Sequence, residues 1–268
     1  MSKIFDVLAI DDEQVILDSI VRLCSLRDWQ VDTAQDALIG LDKISKNKYK
    51  IIISDIMMPQ LDGFELLDRL RQEDINIPVI ITTGYSTVEN AVKSLYSGAI
   101  DFLPKPFTVE ELLSCLSRGM RYREIQEAFE AHQGPIDDDT IFFVPCPAKY
   151  YRLGYGSWSL LEEDGSLKVG LTDLFLRTIE GIERIEFMNI EEEIVQGNSC
   201  AQIYTNDELV HHLLAPISGR IVKRNKNLLK DHSLIEKDPY FEGWMYTIIP
   251  TDLDFESKRL IPCTAETI

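Results

Sequence analysis

Five short apolar runs, each followed by a stretch of helical periodicity, occupy the first 120 or so residues and leave few folds open. Ile4–Ile10 reads as a buried strand, and Val15–Leu26, with Val15, Ile16, Ile20 and Leu23 on one face, as a helix. Gln30–Thr33, Lys50–Ser54, Pro78–Thr83 and Ile100–Leu103 supply four further strands. Asp36–Lys46, Gly63–Gln72, Val88–Ser97 and Thr108–Met120 supply the intervening and closing helices, the last with Thr108 as N-cap and Glu110-Glu111 in its first turn. Runs such as Ile51-Ile52-Ile53 suit strands covered on both faces. The alternation therefore predicts an α/β doubly wound, five-stranded parallel sheet between two layers of helices.

In such a sheet the ligand crevice lies at the carboxyl ends of the strands. Strand one ends in Asp11-Asp12, strand three in Asp55, strand four in Thr83, and strand five runs into Lys105-Pro106. Taken singly, each residue has a plain structural role: an aspartate caps a helix, a threonine closes a turn, a lysine is solvated. Taken together they bring three carboxylates, a hydroxyl and an ammonium to one place. Crowded carboxylates raise one another's pKa unless a cation sits among them, and a hard divalent ion such as Mg²⁺ suits oxygen ligands. An aspartate beside Mg²⁺ and a lysine is placed to attack a phosphoryl group, whose developing charge both cations stabilise.

Twenty-seven basic against 45 acidic side chains leave a formal charge of −18, spread over both halves. Binding to a nucleic-acid backbone or an anionic membrane surface therefore lacks its electrostatic footprint. Asp6 arrives too early for a secretory signal, and no apolar run approaches a membrane span. Cys24, Cys115, Cys146, Cys200 and Cys263 are scattered without a CxxC, as expected of packing thiols in a reducing, cytoplasmic setting.

Residues 1–123 form the first predicted domain. A linker over 124–140 follows, where Arg121–Ala131 extends the last helix until Gly134-Pro135 stops it, ahead of the acidic run Asp137-Asp138-Asp139. Residues 141–268 change texture. Tyr155–Leu161, Leu167–Gly170, Ile182–Met188, Ser199–Tyr204, Gly219–Lys223 and Trp244–Ile249 read as short strands separated by turn signals, with helices over Leu171–Ile179 and Asn225–Ser233. This predicts a mainly β barrel or sandwich.

The first domain resembles the receiver domain of bacterial two-component response regulators. The likeness rests on Leu8-Ala9-Ile10-Asp11-Asp12-Glu13, Ser54-Asp55-Ile56-Met57-Met58-Pro59 with Asp62-Gly63, Thr83-Gly84, and Gly98 through Phe107. The resemblance implies a flavodoxin-like fold in which Asp55 accepts a phosphoryl group from a sensor histidine kinase or phosphotransfer protein. It also implies that Asp12, Asp55 and the Met57 backbone carbonyl ligate Mg²⁺, with Asp11 acting through bound water. Thr83 and Phe102 are the implied switch residues, although on its own Phe102 reads as ordinary core. Pro59 stiffens the loop after Asp55 and Gly63 permits a turn before the helix. Met57, two positions past the phosphoacceptor, cannot orient an attacking water by hydrogen bonding, so the aspartyl phosphate is expected to be long-lived.

The second domain resembles the H protein of the glycine cleavage system, through Tyr155-Gly156-Ser157-Trp158-Ser159-Leu160, Val169 to Leu174, Gly181 to Phe187, Ala215-Pro216-Ile217-Ser218-Gly219 and Asp238 to Trp244. This implies a lipoyl/biotinyl-type barrel-sandwich. The position that carries lipoate in that family falls on Glu208, and no lysine occurs between Lys168 and Lys223. A carboxylate cannot form the lipoyl amide, so no lipoate is expected. Asp207 and Glu208 then make an acidic hairpin tip, and Leu209, Val210, Leu213 and Leu214 either offer a docking surface or belong to the core. Lys223, Arg224, Lys226 and Lys230 form a basic cluster too short for DNA binding, and His211-His212 has no third metal ligand in view.

The expected function is a non-enzymatic, phosphorylatable signalling protein whose second domain contacts an unidentified protein target, with homodimerisation left open. An accessory role in a lipoate-dependent or one-carbon pathway is the alternative, and transcriptional regulation is the weakest.

Overall fold

The computed structural model describes residues 3–85, 87–132 and 143–265. The Gly134-Pro135 stop and the Asp137–Asp139 run, on which the sequence places the linker, lie outside them. Two compact units are present: Met1–Thr87 with Ser97–Glu124, and Val88–Tyr96 with Ile125–Ile268. Among the described residues no helix is long and apolar enough to cross a membrane.

The alternation of the first half is β1 (Ile4–Ile10), α1 (Gln14–Cys24), β2 (Val31–Ala34), α2 (Ala37–Lys46), β3 (Lys48–Asp55), α3 (Gly63–Gln72), β4 (Val79–Thr83), α4 (Val88–Tyr96), β5 (Asp101–Pro104) and α5 (Val109–Ala131). The five strands form one parallel sheet in the order β2-β1-β3-β4-β5, the flavodoxin-like doubly wound arrangement of a receiver. Strand order reverses beside β1, so a crevice opens between the ends of β1 and β3. Val7, Leu8, Ile51, Ile52, Ile80 and Ile81 are fully buried, which is why these strands read as unbroken apolar runs rather than alternating ones. Reciprocal side-chain and backbone hydrogen bonds between Thr108 and Glu111 start α5, and Arg121–Ala131 continues it.

The second half is mainly β. Its elements are β6 (Tyr151–Leu153), β7 (Ser157–Leu161), β8 (Leu167–Leu171), α6 (Asp173–Arg177), β9 (Ile182–Phe187), β10 (Glu193–Ile194), β11 (Ser199–Thr205), β12 (Val210–Leu214), β13 (Gly219–Arg224), α7 (Ser233–Lys237), β14 (Tyr246–Pro250), α8 (Leu253–Glu256) and β15 (Ile261–Pro262). Antiparallel pairing builds a seven-stranded sheet, β10-β13-β14-β8-β7-β6-β15, and a three-stranded sheet, β12-β11-β9. This is the barrel-sandwich of an H-protein-like domain. Tyr246, wholly buried on β14, ties the sheets together: its hydroxyl donates to the Cys200 carbonyl on β11 at 2.8 Å and accepts from Met188 N at 3.0 Å. A second centre gathers Trp158, Tyr150, Tyr240, Cys146 and Cys263. Trp158 Nε1 donates to the Leu171 and Pro239 carbonyls at 2.7 and 3.2 Å, so a large apolar ring is buried with its one donor satisfied. All five cysteines are buried and none is in a disulfide, as packing thiols should be.

The helix expected over Asn225–Ser233 does not form; the stretch is turn, and α7 begins only at Ser233. The reason is Asn225. Its side-chain amide donates to the Glu242 and Trp244 carbonyls, and its Oδ1 accepts from Asn227 N at 3.0 Å. That Asx turn competes with helical hydrogen bonding and ties the segment to a distant loop.

A Cβ at Gly170 would stand 2.5 Å from Cζ2 of the locked Trp158 ring. Gly170→Ala is therefore expected to destabilise this domain by about 1–3 kcal/mol through overpacking. Urea unfolding followed by tryptophan fluorescence reads the effect, and an unchanged midpoint would contradict the packing described.

Candidate phosphoacceptor and metal site

The parallel register delivers the strand ends to one edge of the sheet. Ile10 lies beside Ser54, Asp55 beside Thr82, and Thr83 beside Pro104. Beyond them Asp11, Asp12 and Asp55 each bring a carboxylate oxygen to within 4.8 Å of the others. Asp11 and Asp55 are buried, whereas Asp12 is exposed. Lys105 Nζ reaches in between, 2.6 Å from Asp11 Oδ2 and 3.4 Å from Asp55 Oδ1, with 9% of its side chain exposed.

None of the three aspartates is occupied in capping a helix. The N-cap of α1 is Glu13, which makes no side-chain capping bond, and that of α3 is Asp62. Asp11 Oδ1 accepts from Glu13 N at 3.1 Å, whereas the buried Asp11 Oδ2 and Asp55 Oδ1 share the Lys105 ammonium. Such oxygens are costly unless charge compensates them. Burial raises the pKa of Asp55 to about 6; Lys105 pulls it down, and the neighbouring Asp11 pushes it up again. Hard oxygen donors on three carboxylates, two of them buried around a single ammonium and one open to water, fit Mg²⁺, which keeps several waters in its shell.

Thr83 is fully buried at the end of β4. Its Oγ1 accepts from Tyr85 N at 3.1 Å and its carbonyl accepts from Lys105 N at 2.8 Å, which aligns the lysine's backbone. Phe102 is buried on β5, 9% exposed, in the core position that its own pattern suggested. The Met57 side chain is 56% exposed. Beside Lys105, an open groove of about 680 Å³ runs between α1 and the segment after β5, lined by Ile16, Leu23, Leu26, Pro106, Phe107 and Val109 among others.

One role read from the sequence changes. Gly63 does not supply a positive φ; Gln60 does, at 70°. Gly63 is required for another reason: a Cβ there would lie 2.4 Å from the Asp55 carbonyl oxygen. The capping box between Asp62 and Glu65 at this helix start was also missed, although Asp-x-x-Glu ahead of an apolar run is its signature.

In the second domain, Glu208 sits exposed in the turn between β11 and β12, with a left-handed φ of 64°. Two of the leucines beside it belong to the core. Leu209 and Leu213 are 5% and 1% exposed because β12 alternates and places them in the core, leaving Val210 and Leu214 half-buried. His211 is buried near Thr205 Oγ1, whereas His212 lies on the other face of β12 with Nδ1 3.0 Å from Ser199 Oγ. Neither joins a cluster of possible metal ligands among the described residues. Lys223, Lys226 and Lys230 are solvated, and Arg224 is half-buried.

Comparison with known proteins defines two classes within the chain. Residues 7–117 match the family model of the response regulator receiver domain, and residues 149–266 that of the glycine cleavage H-protein. Among individual relatives, Response regulator MprA of Mycobacterium sp. (strain KMS) is 35% identical over 138 residues, covering 52% of this chain and 57% of that protein. The chain thus spans little more than half the length of the curated relatives it matches. The receiver domain of the Francisella response regulator 1452 is 36% identical and covers 43% of this chain and 96% of its own, with a TM-score of 0.42. A glycine cleavage system H protein from Mycobacterium marinum is 27% identical and covers 40% of this chain and 87% of its own, with a TM-score of 0.37.

Because the folded-state pKa of Asp55 lies above the ordinary value of 3.8, its ionised form weakens the fold, and that penalty is present at pH above about 6 and fades below it. In divalent-free buffer, Asp55→Asn should be more stable than the parent at pH 8 by on the order of 2 kcal/mol, the gap closing as pH falls through 6 toward 4. Thermal melts across this range check it; a gap that widens on acidification would refute the assignment.

Proposed function

We propose that the chain is a two-component response regulator in which Asp55 accepts a phosphoryl group and the H-protein-like domain is the output. The observation that carries this reading is the convergence of three carboxylate oxygens within 4.8 Å, two of them touched by one nearly buried ammonium. In the transfer, a carboxylate oxygen of Asp55 attacks phosphorus in line. The new O–P bond forms as the bond from phosphorus to the donor breaks, and the leaving group, a histidine imidazole or the carboxylate of a small acyl phosphate, departs with the electron pair. Asp11, Asp12, Asp55 and the Met57 carbonyl would hold Mg²⁺, which when bound neutralises the carboxylates and the charge developing on the phosphoryl oxygens. Lys105 supplies the second positive charge, and the Thr83 hydroxyl is available to the phosphoryl group afterwards. The groove supports a protein phosphodonor, a sensor histidine kinase or phosphotransfer protein, since its lining includes Lys105, whose ammonium lies 3.4 Å from Asp55 Oδ1.

The output reading is a protein–protein contact through a domain that carries no lipoate, because the hairpin tip presents Glu208 where an amide bond needs an amine. The match of residues 149–266 to the glycine cleavage H-protein favours one second reading, an accessory role toward lipoate-handling or one-carbon enzymes.

Incubation with acetyl phosphate and Mg²⁺, followed by intact mass, tests the site. The parent should gain one phosphoryl group and Asp55→Asn none; an Asp55→Asn protein that still gains it would overturn the assignment. Pull-downs with the two states separate the outputs, because partners indifferent to phosphate favour the metabolic reading.

Met57→Asn should release the phosphate several-fold faster, because an amide in place of the exposed thioether can orient an attacking water. The decay of the phosphorylated mass after donor removal measures this, and an equal lifetime would count against the role given to Met57.

A further inference from the structure

The segment joining Asp55 to α3 is held at every step. The Ile56 carbonyl accepts from Met58 N at 3.2 Å and from Gly63 N at 3.0 Å, and Leu61 N donates to the Pro59 carbonyl at 2.9 Å. Gln60 takes the left-handed backbone, and Asp62 and Glu65 cap α3 reciprocally, at 2.8 and 2.9 Å. The result is that the first residue of α3 rests on the backbone of the phosphoacceptor. A Cβ on Gly63 would stand 2.4 Å from the Asp55 carbonyl oxygen, 3.2 Å from its carbonyl carbon and 3.0 Å from Ile56 Cα. All three are backbone atoms, so no rotamer change relieves the contact.

We infer that Gly63 is a positioning residue for phosphoryl acceptance: its missing side chain lets α3 seat directly against Asp55 and so sets the carboxylate and the loop carrying Met57 before any cation arrives. The inference rests on the Mg²⁺-assisted phosphoacceptor reading above. Its physical content is preorganisation. A loop already fixed by its neighbours loses little freedom when it takes up an ion, whereas a displacement of about 1 Å at a reacting group costs on the order of 100-fold in rate.

The test compares Mg²⁺ affinity by titration calorimetry, the rate of phosphate uptake from acetyl phosphate, and the melting temperature in three variants of the full chain. Gly63→Ala should weaken Mg²⁺ binding at least tenfold and slow uptake by a similar factor. Gly119→Ala meets an equally close contact, 2.0 Å, but with the tip of the Ile51 side chain. It should lower the melting temperature while leaving Mg²⁺ affinity within twofold of the parent. Asp62→Ala keeps Gly63 but unties the exposed helix start, and should weaken Mg²⁺ binding three- to fivefold in a folded protein.

Parent-like Mg²⁺ affinity in Gly63→Ala, or an equal loss in Gly119→Ala, would overturn the inference. If Gly63→Ala does not fold, unchanged affinity in Asp62→Ala overturns it instead. A parent protein that binds no Mg²⁺ would sink the phosphoacceptor reading itself, a result distinct from a normal parent with an indifferent variant.

Discussion

Two carboxylates buried side by side repel, and the rest of the first domain is organised around tolerating that repulsion. Asp11 and Asp55 lie at adjacent strand ends because β1 and β3 are parallel neighbours in register. Lys105 offsets part of the cost from the far side of the crevice, yet burial still leaves Asp55 harder to ionise than a free aspartate. Positive charge added to a site balanced in this way would relieve its electrostatic strain. Ligand binding and domain stability are therefore linked through the same few charges.

The packing around the site removes freedom where chemistry would be sensitive to it. The Thr83 carbonyl holds the lysine's backbone, while α3 presses on the Asp55 carbonyl through a residue without a side chain. These contacts come from three different strand-to-helix connections. The fold thus supports the cluster from several directions rather than through one loop.

The second domain is held together away from its β11–β12 turn. Its two sheets are joined through Tyr246 and its aromatic centre is satisfied, so stability does not depend on what the β11–β12 turn carries. Glu208, exposed in that turn, presents a carboxylate. The same observation limits where a partner can bind, since Leu209 and Leu213 are committed to the core.

Much of the first domain was legible because its signals are local. Apolar runs marked β1, β3, β4 and β5, whereas β2 carries Asp32 and Thr33, and the Thr108 cap marked the start of the last helix. The second domain was harder. β10 and β15 are two residues long and β6 three, too short for any alternation to show. The segment after Asn225 had a plausible helical composition but was captured by carbonyls of Glu242 and Trp244, residues too remote in the chain for a local pattern to include. Gly63 illustrates the same limit: a glycine before a helix suggests a turn, whereas its actual constraint is an atom eight residues earlier.

The amino-acid order by itself determined which elements form and which chemical groups stand at their ends, because strand and helix periodicity and capping act within a few residues. Only the tertiary structure decided that three carboxylates and one ammonium meet within ion-binding distance, that Leu209 and Leu213 face inward, and that α3 rests on Asp55. Each of these depends on strand register and on contacts between distant segments, which no local pattern encodes.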